Sequence, residues 1–188
     1  MKLNYSRIFT GEGLLPWAVQ GEGTRGQTTM FWAAFGYRKR TLLVAMRGDP
    51  AAPRGGVTAR RYIEVIEEYL LPALENDTLF MQDNSQVHRA ILVQDWFAER
   101  DIDVLDWPPY SPDMNPIENL WKLLKAKIIE LYAELEYMKD NDTTQAHLIA
   151  AAKEAWLLLE EELLNKLALG IQKRIDALKV AQGWYTKY

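Results

Sequence analysis

Two short apolar runs, each stopped abruptly by turn residues, set the strongest limit on how this chain folds. Thr78-Leu-Phe-Met-Gln82 ends at Asp83-Asn84-Ser85, and Asp103-Val-Leu-Asp-Trp107 ends at Pro108-Pro109. Both are too short for a helix of ordinary length and read as buried strands. Between them Val87, Ala90, Ile91, Val93, Trp96 and Phe97 recur at helical spacing within residues 86–99. Strands joined in this way by a helix belong to an α/β sheet and exclude an all-β or all-helical chain.

The flanking sequence extends the pattern. Thr28-Thr-Met-Phe-Trp-Ala-Ala-Phe35 and Thr41-Leu-Leu-Val-Ala-Met46 are strand candidates, and Gly36-Tyr-Arg-Lys-Arg40 between them has the length and the glycine of a hairpin loop. Tyr5 to Thr10 is a further strand candidate. Gly48 to Gly56 is a Pro- and Gly-rich loop, after which Thr58 suits an N-cap and Tyr62, Ile63, Val65, Ile66, Tyr69 and Leu70 mark a helix up to Pro72. Ile117, Leu120, Trp121, Leu124, Ile128, Leu131 and Leu135 mark a long amphipathic helix after the loop Tyr110–Pro116. Thr143 or Thr144 caps a helix towards Leu169, with Gly170 as its stop, and a last helix runs from Ile171 to about Gln182. The reading is a mixed sheet flanked by helices: one domain over 1–188, with residues 140–188 as its helical C-terminal part.

At 188 residues and 48% hydrophobic composition the chain is large enough for one well-buried core. Zero cysteines exclude disulfide scaffolds, thiolate nucleophiles and Cys-ligated metals, and suit a reducing intracellular compartment. The apolar runs fall short of a membrane span. The formal charge of −4 conceals a division: residues 1–61 carry ten Lys/Arg against three acids, a net of +7, and the rest carry 12 against 23, a net of −11. Arg38-Lys39-Arg40 in one loop and Arg60-Arg61 at a helix start are candidate phosphate contacts, or an ordinary solvated face.

Two carboxylates stand where this architecture places ligands. Asp83 follows a buried strand, at the end where open α/β sheets bind. Glu118 lies in the first turn of the helix after the next strand, with 34 residues between the two. Each has a plainer alternative. Asp83 suits a turn cap, and Asn115, Pro116 and Glu118 suit an N-cap, a first helical residue and a capping-box acid. His88, five residues after Asp83, either faces the same site or serves the local structure.

Phe80-Met-Gln-Asp-Asn-Ser-Gln-Val-His88 and Val104-Leu-Asp-Trp-Pro-Pro-Tyr-Ser-Pro-Asp-Met-Asn-Pro-Ile-Glu-Asn-Leu-Trp121 resemble the second and third catalytic segments of Tc/mariner superfamily DDE transposases, with the 34-residue spacing of one branch. Met30-Phe-Trp-Ala-Ala-Phe35 looks like that family's M-x-W-G-A strand, and Gly183-Trp-Tyr-Thr-Lys-Tyr188 is similar to the C-terminus of its fungal members. The resemblance implies a ribonuclease-H-like fold and Mg²⁺- or Mn²⁺-dependent DNA strand cleavage and transfer, with three carboxylates holding two ions. Asp83 becomes the second carboxylate and Glu118 the third, with Asn84, His88 and Asn115 as supporting residues.

The first carboxylate has no counterpart here. In the family it lies on the first strand, in a W-x-D-E segment. Residues 5–12 look instead like the W-V-x-R-x-P-G-E segment that follows it. Glu12 and Glu22 stand in glycine-flanked stretches that read as turns. The resemblance thus implies a chain truncated before that Asp, its first strand missing or rebuilt from about residues 3–10, and leaning towards inactivity in isolation. A homodimer or a swapped strand is another way to cover the exposed sheet edge. The expected partner is DNA and the expected location intracellular, in the nucleus. The alternative is a domesticated, non-catalytic DNA-binding or protein-interaction module.

Overall fold

The computed structural model describes residues 7–16, 28–53, 55–75, 78–106, 114–138 and 141–182, with 7–16 and Thr28 described by backbone alone. Among the described residues the order is β1 (Arg7–Pro16), β2 (Thr28–Gly36), β3 (Lys39–Arg40), β4 (Val44–Met46), α1 (Ala59–Val65), β5 (Leu79–Met81), α2 (Ile91–Ala98), α3 (Ile117–Leu131), α4 (Asp142–Leu157), α5 (Glu161–Leu169) and α6 (Ile171–Val180). The sheet runs β3-β2-β1-β5, with β4 also on β2. Its β1–β2, β2–β3 and β2–β4 pairs are antiparallel, and β1 lies parallel to β5. Beyond β5, Val104 bridges to Phe80 in parallel sense.

Strand β2 shows why the sheet needs helices on both sides. From Phe31 to Phe35 no residue is more than 1% exposed. Alternate residues point to opposite faces of a strand, and the two sets fall into two cores. Phe31, Ala33 and Phe35 pack with α3 and the C-terminal helices through Ile117, Leu124, Trp156 and Leu164. Trp32 and Ala34 pack with α1 and α2 through Tyr62, Ile66, Val93 and Phe97.

The missing or rebuilt first strand resolves within the chain. Arg7–Pro16 forms β1, paired with β2 from Ile8↔Gly36 to Pro16↔Thr28 and with β5 through Arg7↔Leu79, Ile8↔Phe80 and Phe9↔Met81. The edge of β2 is covered without a second copy. Glu12 is part of this strand, not of the expected turn; Glu22 lies outside the described residues.

Other differences have local causes. The hairpin turn is only Tyr37-Arg38, with Arg38 at a φ of 58°, and the second strand splits into β3 and β4. Between these, the Thr41 hydroxyl accepts the Ala34 N–H at 2.9 Å, so a side chain takes a ladder position. Thr58 caps α1 as expected, accepting the Arg61 N–H at 3.4 Å, and the helix continues as a π-helical turn over Ile66–Leu70. Residues 86–89 form a turn, so α2 starts only at Ile91. The strand expected at Asp103–Trp107 reduces to the Val104 bridge, and Trp107 lies outside the described residues.

The long C-terminal helix is two helices. Asn141, not Thr143 or Thr144, caps α4, accepting the Thr144 N–H at 3.0 Å. The end of α4 is held by Arg40, whose guanidinium donates to the Trp156, Leu157 and Leu159 carbonyls at 2.9, 2.9 and 3.0 Å. A cation at the carbonyl end of a helix satisfies groups the next turn would otherwise use. The Trp156 indole N–H donates to the Thr41 carbonyl at 2.9 Å, tying the same point to the sheet.

Candidate active site

Asp83 owes its position to β5. That strand is walled by β1 on one side, and on the other the Phe80 N–H and carbonyl bond to the Asp103 carbonyl and Leu105 N–H, both at 2.8 Å. The chain leaves the sheet at buried Gln82, whose Oε1 accepts the Tyr62 hydroxyl at 2.7 Å. Asp83 Oδ1 then accepts the Ser85 N–H at 2.9 Å, the side-chain turn that a plain reading of Asp-Asn-Ser anticipates.

The same Oδ1 lies 2.7 Å from His88 Nδ1, which also lies 3.0 Å from the Asp83 carbonyl. Both partners are acceptors, so Nδ1 carries the proton. His88 is 3% exposed, and its ring packs against Tyr62 with centroids 4.5 Å apart. The His88 hydrogen bond, with help from Ser85, holds the Asp83 carboxyl below its ordinary range against the opposing effect of burial. Asp83 therefore serves the turn and stands half-exposed at the sheet end, its charge fixed in place.

Glu118 comes from a helix packed on the sheet. Its helix α3 packs on β1 and buries Ile117, Leu120 and Trp121. Asn115 is buried, and its Oδ1 accepts the Ile117 N–H at 3.2 Å while its carbonyl accepts the Glu118 N–H at 3.2 Å. The helix start lies one residue later than the sequence suggested: Pro116, not Asn115, is the N-cap of α3, and Asn115 supports the first turn from just before it. Burial pushes the Glu118 carboxyl up, the charge of Asp83 pushes it further, and Lys122 and Lys125 pull it back. The charge of Asp83 is felt at Glu118, so the end of β5 and the first turn of α3 lie within electrostatic reach of each other.

Three supporting groups escape sequence reasoning. Tyr62 reaches both sides of Asp83, through Gln82 and His88. Arg174 of α6, 3% exposed, donates to the Asn119 side chain at 2.6 Å, beside Glu118. Lys122 and Lys125 are the one set with a visible signal, since residues four and seven positions on share a helix face with Glu118.

Asn84 is exposed and lines a cleft of about 310 Å³ with Asp83, His88, Val104 and Asp106. The expected DNA contacts divide. Arg40 is taken up by the end of α4, Lys39 pairs with Glu75 at 2.6 Å, and Arg61 pairs with Glu64 at 2.7 Å. Arg38 and Arg60 are exposed. A larger groove, about 950 Å³, lies between β4, α1 and α4, lined by Met46, Arg61, Glu64 and Ile149; neither carboxylate lines it.

Hard oxygen ligands suit divalent cations such as Mg²⁺, and Asp83 and Glu118 supply them. Among the described residues no group of three or more Asp, Glu or His side chains is arranged to hold a metal. Among the described residues the donor set fits one ion and not a pair, which needs further carboxylates to bridge and flank it.

The chain is similar to proteins of one family. The DDE superfamily endonuclease model matches residues 24–139. The Tc1 transposase of Caenorhabditis elegans is 33% identical over 132 residues, covering 68% of this chain and 45% of that protein. The Tc3 transposase of the same organism is 31% identical over 164 residues, covering 84% and 45%. The chain thus spans about half the length of these relatives. The solved catalytic domain of the Mos1 mariner transposase superposes with a TM-score of 0.70 at 18% identity, covering 97% of this chain and 85% of that one, which establishes the ribonuclease-H-like fold. The chain therefore belongs to the DDE superfamily endonucleases, close to the Tc1, Tc3 and mariner transposases.

Proposed function

We propose that this domain derives from the strand-cleaving and strand-transferring part of a transposase, and that as an isolated chain it is inactive. The observation that carries both halves is the electrostatic coupling of Asp83, at the end of β5, with Glu118, in the first turn of α3, where among the described residues no group of three or more Asp, Glu or His is arranged to hold a metal. The substrate class is DNA and the ion Mg²⁺ or Mn²⁺. Support comes from the Mos1 catalytic domain, solved with either metal, and from Mos1 assemblies solved as strand-transfer and paired-end complexes. The chain's own residues do the preparatory work. His88 and Ser85 fix one oxygen of Asp83, Tyr62 backs His88, and Asn115 and Arg174 fix the start of α3 on either side of Glu118. The test is nicking of supercoiled plasmid in Mn²⁺. The expected result is no cleavage above that of Asp83→Ala and Glu118→Ala; cleavage that disappears in both variants overturns the inactivity.

A second reading, a domesticated nuclear protein that binds DNA without cutting it, draws on the +7 charge of residues 1–61 and on exposed Arg38 and Arg60. Neutralised phosphates release counterions, so such binding weakens steeply with salt. Fluorescence anisotropy of a labelled duplex across a salt series tests it. Binding that is absent or insensitive to salt removes this reading. Among the described residues no helix is long and apolar enough to cross a membrane.

A further inference from the structure

Strand β1 lies between β2 and β5, next to the strand that leads into Asp83, and its two pairings fix its register on either side. Against β5 the last registered pair is Phe9↔Met81, and that register, continued by two residues past the end of β5, sets Gly11 level with Asp83. Against β2, Gly11 is opposite Ala33 and Glu12 is opposite Trp32. Directly opposed residues share a face of the sheet. Ala33 and Met81 belong to the core beneath α3, whereas Trp32 belongs to the core beneath α1 and α2. Gly11 is therefore placed on the face that α3 covers, level with Asp83 in the continued register. Glu12, the acid nearest in sequence, is placed on the opposite face.

Resting on the reading of Asp83 and Glu118 as cation ligands, we infer that Gly11 is the open third corner of this site, that the chain takes one divalent cation there and not two, and that Glu12 is not its missing ligand. An ion of the Mg²⁺ class is content with one or two carboxylates and a shell of waters. A second ion at the spacing of about 4 Å that two-metal displacement requires needs another anionic donor between the strands. A residue without a side chain supplies none.

Mn²⁺ titration followed by the electron paramagnetic resonance of the free ion tests this without any measurement of cleavage. The unmodified chain is expected to bind one equivalent, and Glu12→Gln to match it within about twofold. Gly11→Asp is expected to bind about tenfold more tightly or to take a second equivalent, because affinity follows the count of ligand charges; Gly11→Asn does neither. Two equivalents in the unmodified chain overturn the inference. So does a tenfold loss in Glu12→Gln, or unchanged binding in a folded Gly11→Asp. If Gly11→Asp does not fold, the stoichiometry of the unmodified chain and the Glu12→Gln affinity decide. Asp83→Asn separates the two levels: binding that survives it refutes the cation site itself, whereas binding that it abolishes leaves only the role of Gly11 to be judged.

Discussion

The two carboxylates reach the same end of the sheet, and they are held there by different means. On the face covered by α1 and α2, a buried aromatic and imidazole relay reaches Asp83 by direct bonds, and the carboxyl is held ionised. On the face covered by α3 to α6, Glu118 rides on a helix that is well anchored around it, and burial disfavours its charge. One carboxylate is stabilised as an anion by the fold, and the other is made costly by it. An incoming cation has most to offer the second.

The difference breaks most visibly at the anchors. Tyr62→Ala removes a fully buried ring and the support of His88, and should cost about 3–5 kcal/mol in denaturant unfolding, as large aromatic truncations do. Tyr62→Phe keeps the ring and loses only the Gln82 bond, so about 1 kcal/mol is expected. If the two variants cost the same, the hydroxyl and not the packing carries the relay. On the other face, Arg174→Met should cost about 1–3 kcal/mol, because the half-buried Asn119 amide loses its charged partner; a cost near zero would show that α6 does not fix the start of α3.

Smaller effects distinguish the carboxylates themselves. Without metal, Asp83 has a folded pKa below its ordinary 3.8, so it contributes stability that is present above that value and lost as pH falls through the folded one. Glu118 has the opposite sign. Its folded pKa lies above its ordinary 4.5, so it withdraws stability as pH rises through that interval. Thermal melts should therefore place Asp83→Asn below the unmodified chain at neutral pH and Glu118→Gln above it, with both differences shrinking in acid. Melts shifted in the same direction at neutral pH would erase the contrast. The smallest effect belongs to the Lys39–Glu75 pair, in which Glu75 is exposed and Lys39 partly buried; there Lys39→Met should change stability by no more than about 1 kcal/mol.

The parts of this site that could be read from sequence were those built from neighbouring residues. Asp83 announced itself because a short apolar strand stops dead before Asp-Asn-Ser, and Glu118 because Asn-Pro-Ile-Glu opens a helix whose apolar period continues to Leu135. Both also stood inside segments similar to a known family. The hidden parts depend on residues brought together by the fold. Arg40 looked like a phosphate contact because it sits in a basic loop, yet its partners at the end of α4 are more than a hundred residues away. That contact also explains why periodicity ran α4 and α5 together: nothing local marks where a distant guanidinium claims the carbonyls. Tyr62 read as an ordinary core position, and its hydroxyl acquired meaning only when β5 brought Gln82 to it. Glu12 read as a turn acid because glycines flank it, whereas pairing with β2 and β5 makes those glycines part of a strand.

Strand β1 also dictates an order of assembly. It meets β2 through a short connection and β5 only after most of the first half of the chain has been made, so one pairing closes a small loop and the other a large one. Closing the larger loop costs more entropy and slows the contacts that depend on it. The hairpin of β1 and β2 should accordingly mature first and β5 dock late. In pulse-labelled hydrogen exchange during refolding, the amides of β2 should gain protection before those of Leu79, Phe80 and Met81; the reverse order would refute this. The segment that carries Asp83 is thus expected to be among the last to find its place, so the candidate site is assembled only when the longest-range strand pairing among the described residues closes.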